Sequence, residues 1–458
     1  MKIGEYNYDY SKTLWMKMYL AEPDFERGVS KVFITFEQAL DIIRQVDNIT
    51  QGIKKIVYLV GWQGLGHDDC YPEMSVINEA LKRDCDESGR ESLFRLFNEA
   101  KKHNTVVSFH GNLADEYSAT PSHAEIVAAK AVACAKDGTP QVIEVFNGRD
   151  AFKISYKQYY ESGIFERLWD EFCKATPVLE AGTVHLDNFC VAESFCPRTA
   201  VDEQVEARNK MIDHIRSLGI DVTSEYTYRE QLLRADSPEH PIRKFYASQV
   251  GELPVGERFA APIHCLGRIA ADWWMSGMTI EDMMTIDPAL FSGHPTEGRL
   301  GRAFYGSMHG EDIWMKNGIG DAWVAPFIKE FCTYQLPYFY LNRYERESYS
   351  EDENGELSVT FSDGVVSEGA TGRISKNGAV LKDGNDVILP LDESNKVFIA
   401  YSENGKSGEW DVPDVAFTRG EVFKITADGN RFVSGVGVED GKLSLDIKAG
   451  EAVVIKAV

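Results

Sequence analysis

Thr183-Val184-His185-Leu186-Asp187-Asn188 is the stretch on which the reading of this chain turns. Apolar and polar residues alternate, and successive side chains of a strand point to opposite faces. Thr183, His185 and Asp187 therefore share one face, with Val184 and Leu186 on the other. Ile220-Asp221-Val222-Thr223-Ser224-Glu225 repeats the pattern. There Asp221, Thr223 and Glu225 lie opposite Ile220 and Val222. In each stretch the acid ends the polar row. With the apolar faces against helices and the polar faces lining a barrel, Asp187 and Glu225 converge at its mouth. Two carboxylates at the carboxyl ends of barrel strands are what glycosidic bond cleavage requires.

Working outward, Lys54 to Val60 (KKIVYLV) reads as a buried strand ending at Gly61. Residues 1–50 read as an entry segment that closes in a helix over Thr35 to Val46. A helix over Glu91 to His103 leads to a strand, Thr105 to His110, whose Ser108, His110 and Asn112 share a polar face opposite Val107 and Phe109. A long loop, the segment Gln141 to Phe152 and a helix over Glu161 to Lys174 precede the Asp187 strand. A helix over Asp202 to Leu218 separates it from the Glu225 strand. This alternation predicts a parallel sheet in an α/β fold. The repeated polar stripes predict a closed (β/α)8 TIM barrel whose upper interior is a site, and no Gly-rich phosphate loop favours an open doubly wound sheet. Near Tyr349 the character changes. Asn354-Gly355, Asp363-Gly364, Asn377-Gly378, Asp383-Gly384, Asn404-Gly405, Asp428-Gly429 and Asp440-Gly441 punctuate short alternating runs, which are hairpin signals. The expectation is a catalytic barrel over 1–348 and a C-terminal antiparallel β-sandwich over 349–458.

A chain of 458 residues, 43 % of them hydrophobic, has room for one large domain and a smaller one. A net charge of −24 argues against nucleic acid and anionic membranes, whose binding rests on Lys and Arg. No run of 18 apolar residues is present, so no membrane span is predicted. Aromatic content of 11 % suits stacking on sugar rings, although large α/β cores use aromatics as well. The first ten residues lack a basic segment followed by an apolar one, and the eight cysteines include no C-x-x-C pair. Free thiols and a cytoplasmic location are expected. Self-association is compatible with the sequence and not encoded by any motif.

Three constellations carry the chemistry. Gly61-Trp62-Gln63-Gly64-Leu65-Gly66-His67-Asp68-Asp69 follows a buried strand and supplies a ring-stacking Trp62 and acids able to accept from sugar hydroxyls. Its plainer reading is a loop whose Asp residues cap the next helix. His110-Gly111-Asn112, with Asp115, ends the next strand, and the glycine permits close approach of backbone and ligand. A core histidine is the plainer reading of His110. The third is the acid pair: adjacent strands lie about 4.8 Å apart, which suits the carboxylate spacing of roughly 5–5.5 Å in retaining glycosidases. Asp187, with donors on His185 and Asn188, is assigned as nucleophile. Glu225, among Ser224, Tyr226 and Tyr228, is assigned as acid/base. A later group, His264, Trp273-Trp274, His294, Arg299, His309, Glu311, Asp312 and Trp314, lies in long connections of the kind that line subsites, with Trp273-Trp274 reading equally as core. A metal-dependent hydrolase using His185, Asp187, His110, Asp68 and Asp69 is the first alternative. Its usual His-x-His on the first strand is replaced here by Val60-Gly61-Trp62. A non-catalytic carbohydrate-binding protein is the second.

GWQGLGHDD (61–69), SFHGN (108–112), HLDNF (185–189) and TSEYTYRE (223–230), in this order, resemble the catalytic barrel of the endo-α-N-acetylgalactosaminidase glycoside hydrolases. A related group of intracellular α-N-acetylgalactosaminidases shares that core. Phe327 to Tyr349, with Leu336-Pro337-Tyr338-Phe339, resembles the last barrel element before the family's β-domain. The resemblance implies a retaining enzyme for α-linked N-acetylgalactosamine of mucin-type O-glycans. It implies Asp187 as nucleophile, Glu225 as acid/base, His67 and Asp68 as holders of sugar hydroxyls, Asn112 as site lining, and Trp62 and Trp314 as aromatic contacts. The chain departs from the family in reading HLDNF where an aromatic-rich segment commonly follows the nucleophile, and in being short and without an export pattern. The expectation is therefore removal of one terminal α-linked sugar, an N-acetylgalactosaminide or α-galactoside-like residue, from a glycan, glycopeptide or glycoside. No organic cofactor is required, and no loop carries a Ca²⁺ signature.

Overall fold

The computed structural model describes residues 7–9, 12–146, 148–187, 189, 191–224, 303, 305, 308–309, 313–344, 346–354 and 356–458. The α/β part opens with β1 (Leu14–Tyr19), buried along its whole length; closure of its sheet into the expected barrel is not seen among the described residues. Leu14, Met16 and Met18 pack outward, and Trp15, Lys17 and Tyr19 alternate with them. Trp15 meets Tyr58 and His185 inside the sheet, with ring centroids 6.0 and 5.9 Å apart. The expected entry segment thus contains a strand of the parallel sheet. The strand escaped the reading because Lys17, only 5 % exposed, interrupts its apolar run. A hairpin of β2 (Ala21–Asp24) and β3 (Val29–Val32) leads to α1 (Phe36–Ile49). Thr35 caps α1 reciprocally: Gln38 N donates to its Oγ1 at 3.3 Å, and Thr35 N donates to Gln38 Oε1 at 2.8 Å.

Then come β4 (Lys55–Val60), α2 (Gly89–Ala100) and β5 (Thr105–Asn112). The connection that follows carries its own antiparallel sheet, built from β6 (Asp115–Tyr117), β7 (Val142–Phe146) and β8 (Arg149–Lys153) in the order β6-β8-β7, with α3 (His123–Ala128) between β6 and β7. The helix expected over Glu161 to Lys174 is α5 (Ile164–Ala175), and a short α4 (Tyr156–Glu161) precedes it, separated at Gly163. After α6 (Val178–Ala181) come β9 (Thr183–Asp187), the small hairpin of β10 (Ser194–Phe195) and β11 (Arg198–Thr199), α7 (Val201–Ser217), β12 (Asp221–Ser224) and β13 (Met308–His309). Six parallel strands form one sheet in the order β12-β9-β5-β4-β1-β13. The alternation expected of Val184 and Leu186 against Thr183 and His185 is realised. The two aliphatics join the outer core, while Tyr58 Oη and Thr183 Oγ1 bond inside at 2.8 Å.

Three helices end this part: α8 (Ile313–Asn317), α9 (Val324–Glu330) and α10 (Leu336–Leu341). A π-turn over Phe331–Gln335 joins the last two. Pro337 brings no N–H and its ring crowds the carbonyl one turn back, so the wider turn before it relieves both defects. The sheet of the C-terminal part starts at Arg346–Glu351 and has ten antiparallel strands. The strands Lys406–Asp411 and Lys442–Ile447 pair with each other in a second, two-stranded layer. Trp410, Leu443, Leu445 and Ile447 of that layer pack on Phe398, Val453 and Ile455 of the large sheet. The turn at Ala449-Gly450 carries the chain from one layer to the other, into Glu451–Ala457.

One expectation about thiols is corrected. Cys134 and Cys196, 62 positions apart, are joined by a disulfide with a Cα–Cα distance of 5.5 Å. The segment after β9 folds back onto residues 131–135, where Phe195 N donates to Cys134 O at 3.0 Å. Gln141 Nε2 holds Cys134 O and Glu193 O at 2.8 and 2.6 Å. Contacts at that sequence separation leave no spacing signal. Cys70, Cys85, Cys173 and Cys332 are free, and Cys190 and Cys265 lie outside the described residues.

Candidate active site

The carboxyl ends of β4, β5 and β9 meet at one point. β5 and β9 run in register with His110 opposite His185 and Asn112 opposite Asp187. Asp187 ends β9 with its side chain 18 % exposed, and its Oδ2 lies 3.5 Å from His110 Nε2. The loop after β4 brings in His67, whose ring centroid is 5.4 Å from that of His110. Asp68 Oδ2 is 3.3 Å from His67 Nε2. One potential ligand atom from each of His67, His110 and Asp187 falls within a 4.8 Å triangle. This concave cluster of imidazoles and carboxylates can accept from sugar hydroxyls, and its donor set also suits a divalent transition metal.

The loop's conformation follows from its glycines. Gly61 and Gly66 have φ of +72° and +143°, and a Cβ at either would meet the β2 backbone, 2.0 Å from Ala21 O and 2.6 Å from Glu22 Cα. Free of that clash, the loop lies on β2, and His67 N donates to Ala21 O at 2.9 Å. Asp68 has φ +57°, in the left-handed region that Asp tolerates better than most residues. Strain of this kind gathers where a side chain is held for function.

Several expected site residues have structural duties instead. Trp62 is fully buried. After the turn at Gly61 the indole packs on Phe109 and Phe172, at 4.6 and 5.7 Å, and donates from Nε1 to His110 O at 2.9 Å. It has no face open to a sugar ring. Trp314 is likewise buried, against Trp323 and Phe327. Asp69 staples its own loop, accepting from Leu65 N at 2.8 Å and lying 3.4 Å from Arg149 Nη1. His185 is buried below the mouth, with Nδ1 2.8 Å from Thr223 Oγ1. Asn112 is buried too, its Oδ1 accepting from Ala114 N and Asp115 N at 2.7 and 3.1 Å. The close approach permitted by Gly111 is that of Met74, whose sulfur would lie 2.6 Å from a Cβ there. His67, Asp68, His110 and Asp187 remain as a group at the mouth. Asn188, Glu225 and Tyr226 lie outside the described residues, as do His264, Trp273-Trp274, His294, Arg299, Glu311 and Asp312.

Three residues that the sequence reading did not single out complete the wall. Tyr19, from the unrecognised strand, and Phe146, from β7, meet His67 edge-on at 5.3 and 5.7 Å. Tyr71 is fully buried behind the acids. Burial first, and then the charges of Asp68 and Asp187, push its hydroxyl well above the ordinary phenol range. The alternation of Leu14-Trp15-Met16-Lys17-Met18-Tyr19 was a usable signal for Tyr19. Nothing local marks Phe146 or Tyr71.

Residues 27–235 match the family model described as endo-alpha-N-acetylgalactosaminidase. No curated protein matches the chain. Among solved structures, the ligand-free alpha-N-acetylgalactosaminidase NagBb of Bifidobacterium bifidum is similar at 14 % identity and a TM-score of 0.49, over 80 % of this chain and 58 % of that one. Its GalNAc complex is similar at 14 % identity and a TM-score of 0.46, over 80 % and 57 %. An alpha-amylase from Geobacillus thermoleovorans, complexed with acarbose, is similar at 10 % identity and a TM-score of 0.42, over 98 % of each chain. The chain thus spans under two thirds of the length of the NagBb structures it resembles.

Proposed function

We propose that this chain, whose residues 27–235 match the endo-alpha-N-acetylgalactosaminidase family model, is a retaining α-glycosidase removing a terminal α-linked sugar. The sugar class is an N-acetylgalactosaminide or an α-galactoside-like residue on a glycan, glycopeptide or glycoside. One observation carries the reading. β9 and β12 are neighbouring parallel strands, paired from Thr183 opposite Asp221 to Leu186 opposite Ser224. In the sequence Asp187 follows Leu186 and Glu225 follows Ser224.

The proposed reaction is a double displacement. Asp187 Oδ attacks the anomeric carbon as Glu225 gives its proton to the departing glycosidic oxygen, leaving a glycosyl ester on Asp187. Glu225 then takes a proton from water, whose oxygen attacks the anomeric carbon and frees Asp187. His67 and Asp68 bind ring hydroxyls, and His110, 3.5 Å from Asp187, orients the nucleophile. Nitrophenyl α- and β-glycosides, with proton NMR of the sugar first released, test the reading. Release of the α-anomer from an α-glycoside is expected, and a β-anomer from the same substrate would replace the mechanism with an inverting one. Asp187→Asn and Glu225→Gln should each remove several orders of magnitude of kcat.

A metal-dependent hydrolase is the second reading, favoured by the His67, His110 and Asp187 triangle. Activity lost to a chelator and restored by Zn²⁺ would select it.

A further inference from the structure

We infer that Asp115 is a positioning residue of this site: set opposite Lys153 in the β6–β8 pairing and tied to Asn112, it fixes the strand end beside Asp187. The inference rests on the proposed glycosidase reading.

Asn112 is the register partner of Asp187 on the adjacent strand. Its amide is committed at both ends, with Nδ2 donating to Asp115 Oδ2 at 2.6 Å while Oδ1 accepts from the 114 and 115 backbone. Asp115 therefore holds the exit of β5. Lys153 lies directly opposite Asp115 in the β6–β8 pairing. Both are 3 % exposed, and Asn112 is 0 % exposed. A buried line thus runs from Lys153 through Asp115 and Asn112 to the strand position facing the nucleophile. Among the described residues, the charged groups that face Asp115 include Lys153 from β8, Asp187 from β9 and Asp68 from the loop after β4. Burial raises the Asp115 carboxyl to about 7, Lys153 pulls it down, and Asp187 and Asp68 push it up. Above that pH Asp115 adds a negative charge to the wall.

The test reads the carboxyl directly and then the reaction. In protein labelled with ¹³C at the aspartate carboxyls, one resonance absent from Asp115→Asn should titrate near pH 7 without substrate. Lys153→Met should move that titration upward and Asp187→Asn should move it downward. On a nitrophenyl α-glycoside, kcat/KM should show an inflection near the same pH that Asp115→Asn abolishes. Asp115→Asn keeps an acceptor for Asn112 and should lose about tenfold in kcat, whereas Asp115→Ala frees the strand end and should lose about 100-fold, with KM little changed in both. Far-ultraviolet circular dichroism confirms that each variant is folded. An Asp115 resonance titrating near 4, or a wild-type inflection that survives in Asp115→Asn, overturns the inference and leaves the glycosidase reading standing. A wild type that cleaves no α-glycoside overturns both, whatever the carboxyl does.

Discussion

Replacing Trp62 separates a core residue from a sugar platform. The indole is fully buried between Phe109 and Phe172 and donates to His110 O at 2.9 Å. Trp62→Ala removes most of that volume from a close-packed region, which costs about 3–5 kcal/mol where the surroundings relax only partly. Trp62→Phe keeps an aromatic ring but deprives the His110 carbonyl of its donor, for about 1–3 kcal/mol. The cost falls near the site, because His110 stands 3.5 Å from Asp187. Urea unfolding followed by tryptophan fluorescence and circular dichroism gives the stability, and initial rates on a nitrophenyl α-glycoside give KM. Core packing predicts that Trp62→Ala loses several kcal/mol, that Trp62→Phe recovers much of it, and that KM of the folded Phe variant stays within a few fold. An unchanged unfolding midpoint together with a KM raised tenfold or more in Trp62→Ala would refute the packing argument.

Other perturbations have definite signs. Asp115 has its folded pKa raised to about 7, so its burial opposes stability increasingly as pH rises from the unfolded carboxyl value and the cost levels off above about 7. Urea unfolding should show the stability of Asp115→Asn relative to wild type growing by up to about 4 kcal/mol between pH 4 and pH 8. Cys134→Ser with Cys196→Ser opens a closure spanning 62 positions and should cost about 4 kcal/mol in chain entropy, read by the same method. In Gly66→Ala the new Cβ meets Glu22 Cα at 2.6 Å with φ at +143°. Calorimetry should show lower stability, and kcat/KM should fall because His67 is fastened to Ala21 through that turn.

The acid-bearing strand was legible because it is amphipathic with period two: Thr183, His185 and Asp187 against Val184 and Leu186 survive intact in β9. The run of Asn-Gly and Asp-Gly turns announced the antiparallel C-terminal sheet, since such dipeptides take tight turns irrespective of what surrounds them. The β1 strand was hidden by Lys17, a buried cation that only its place in the sheet explains. Trp62 was misjudged because position along the chain gave the strand end but not the direction of the side chain after Gly61. The polar commitments of Asn112 and Asp69 to their own loops and the Cys134–Cys196 bridge depend on local turns or distant partners, which residue type does not encode. His67, Asp68, His110 and Asp187, which the structure brings together, stand out in the sequence because they end strands or follow one in its loop, where loops hold reactive groups over a rigid sheet.

In the proposed reaction Asp187 bonds covalently to the sugar. Incubation with a 2-deoxy-2,2-difluoro glycoside bearing a strong leaving group should halt turnover and leave one glycosyl mass on the protein. Peptide mapping by mass spectrometry should then place that mass on the Thr183–Asp187 region, with the fragment series assigning it to Asp187. A label on any other residue would contradict the account, as would complete inactivation by the reagent with an unmodified Asp187 peptide.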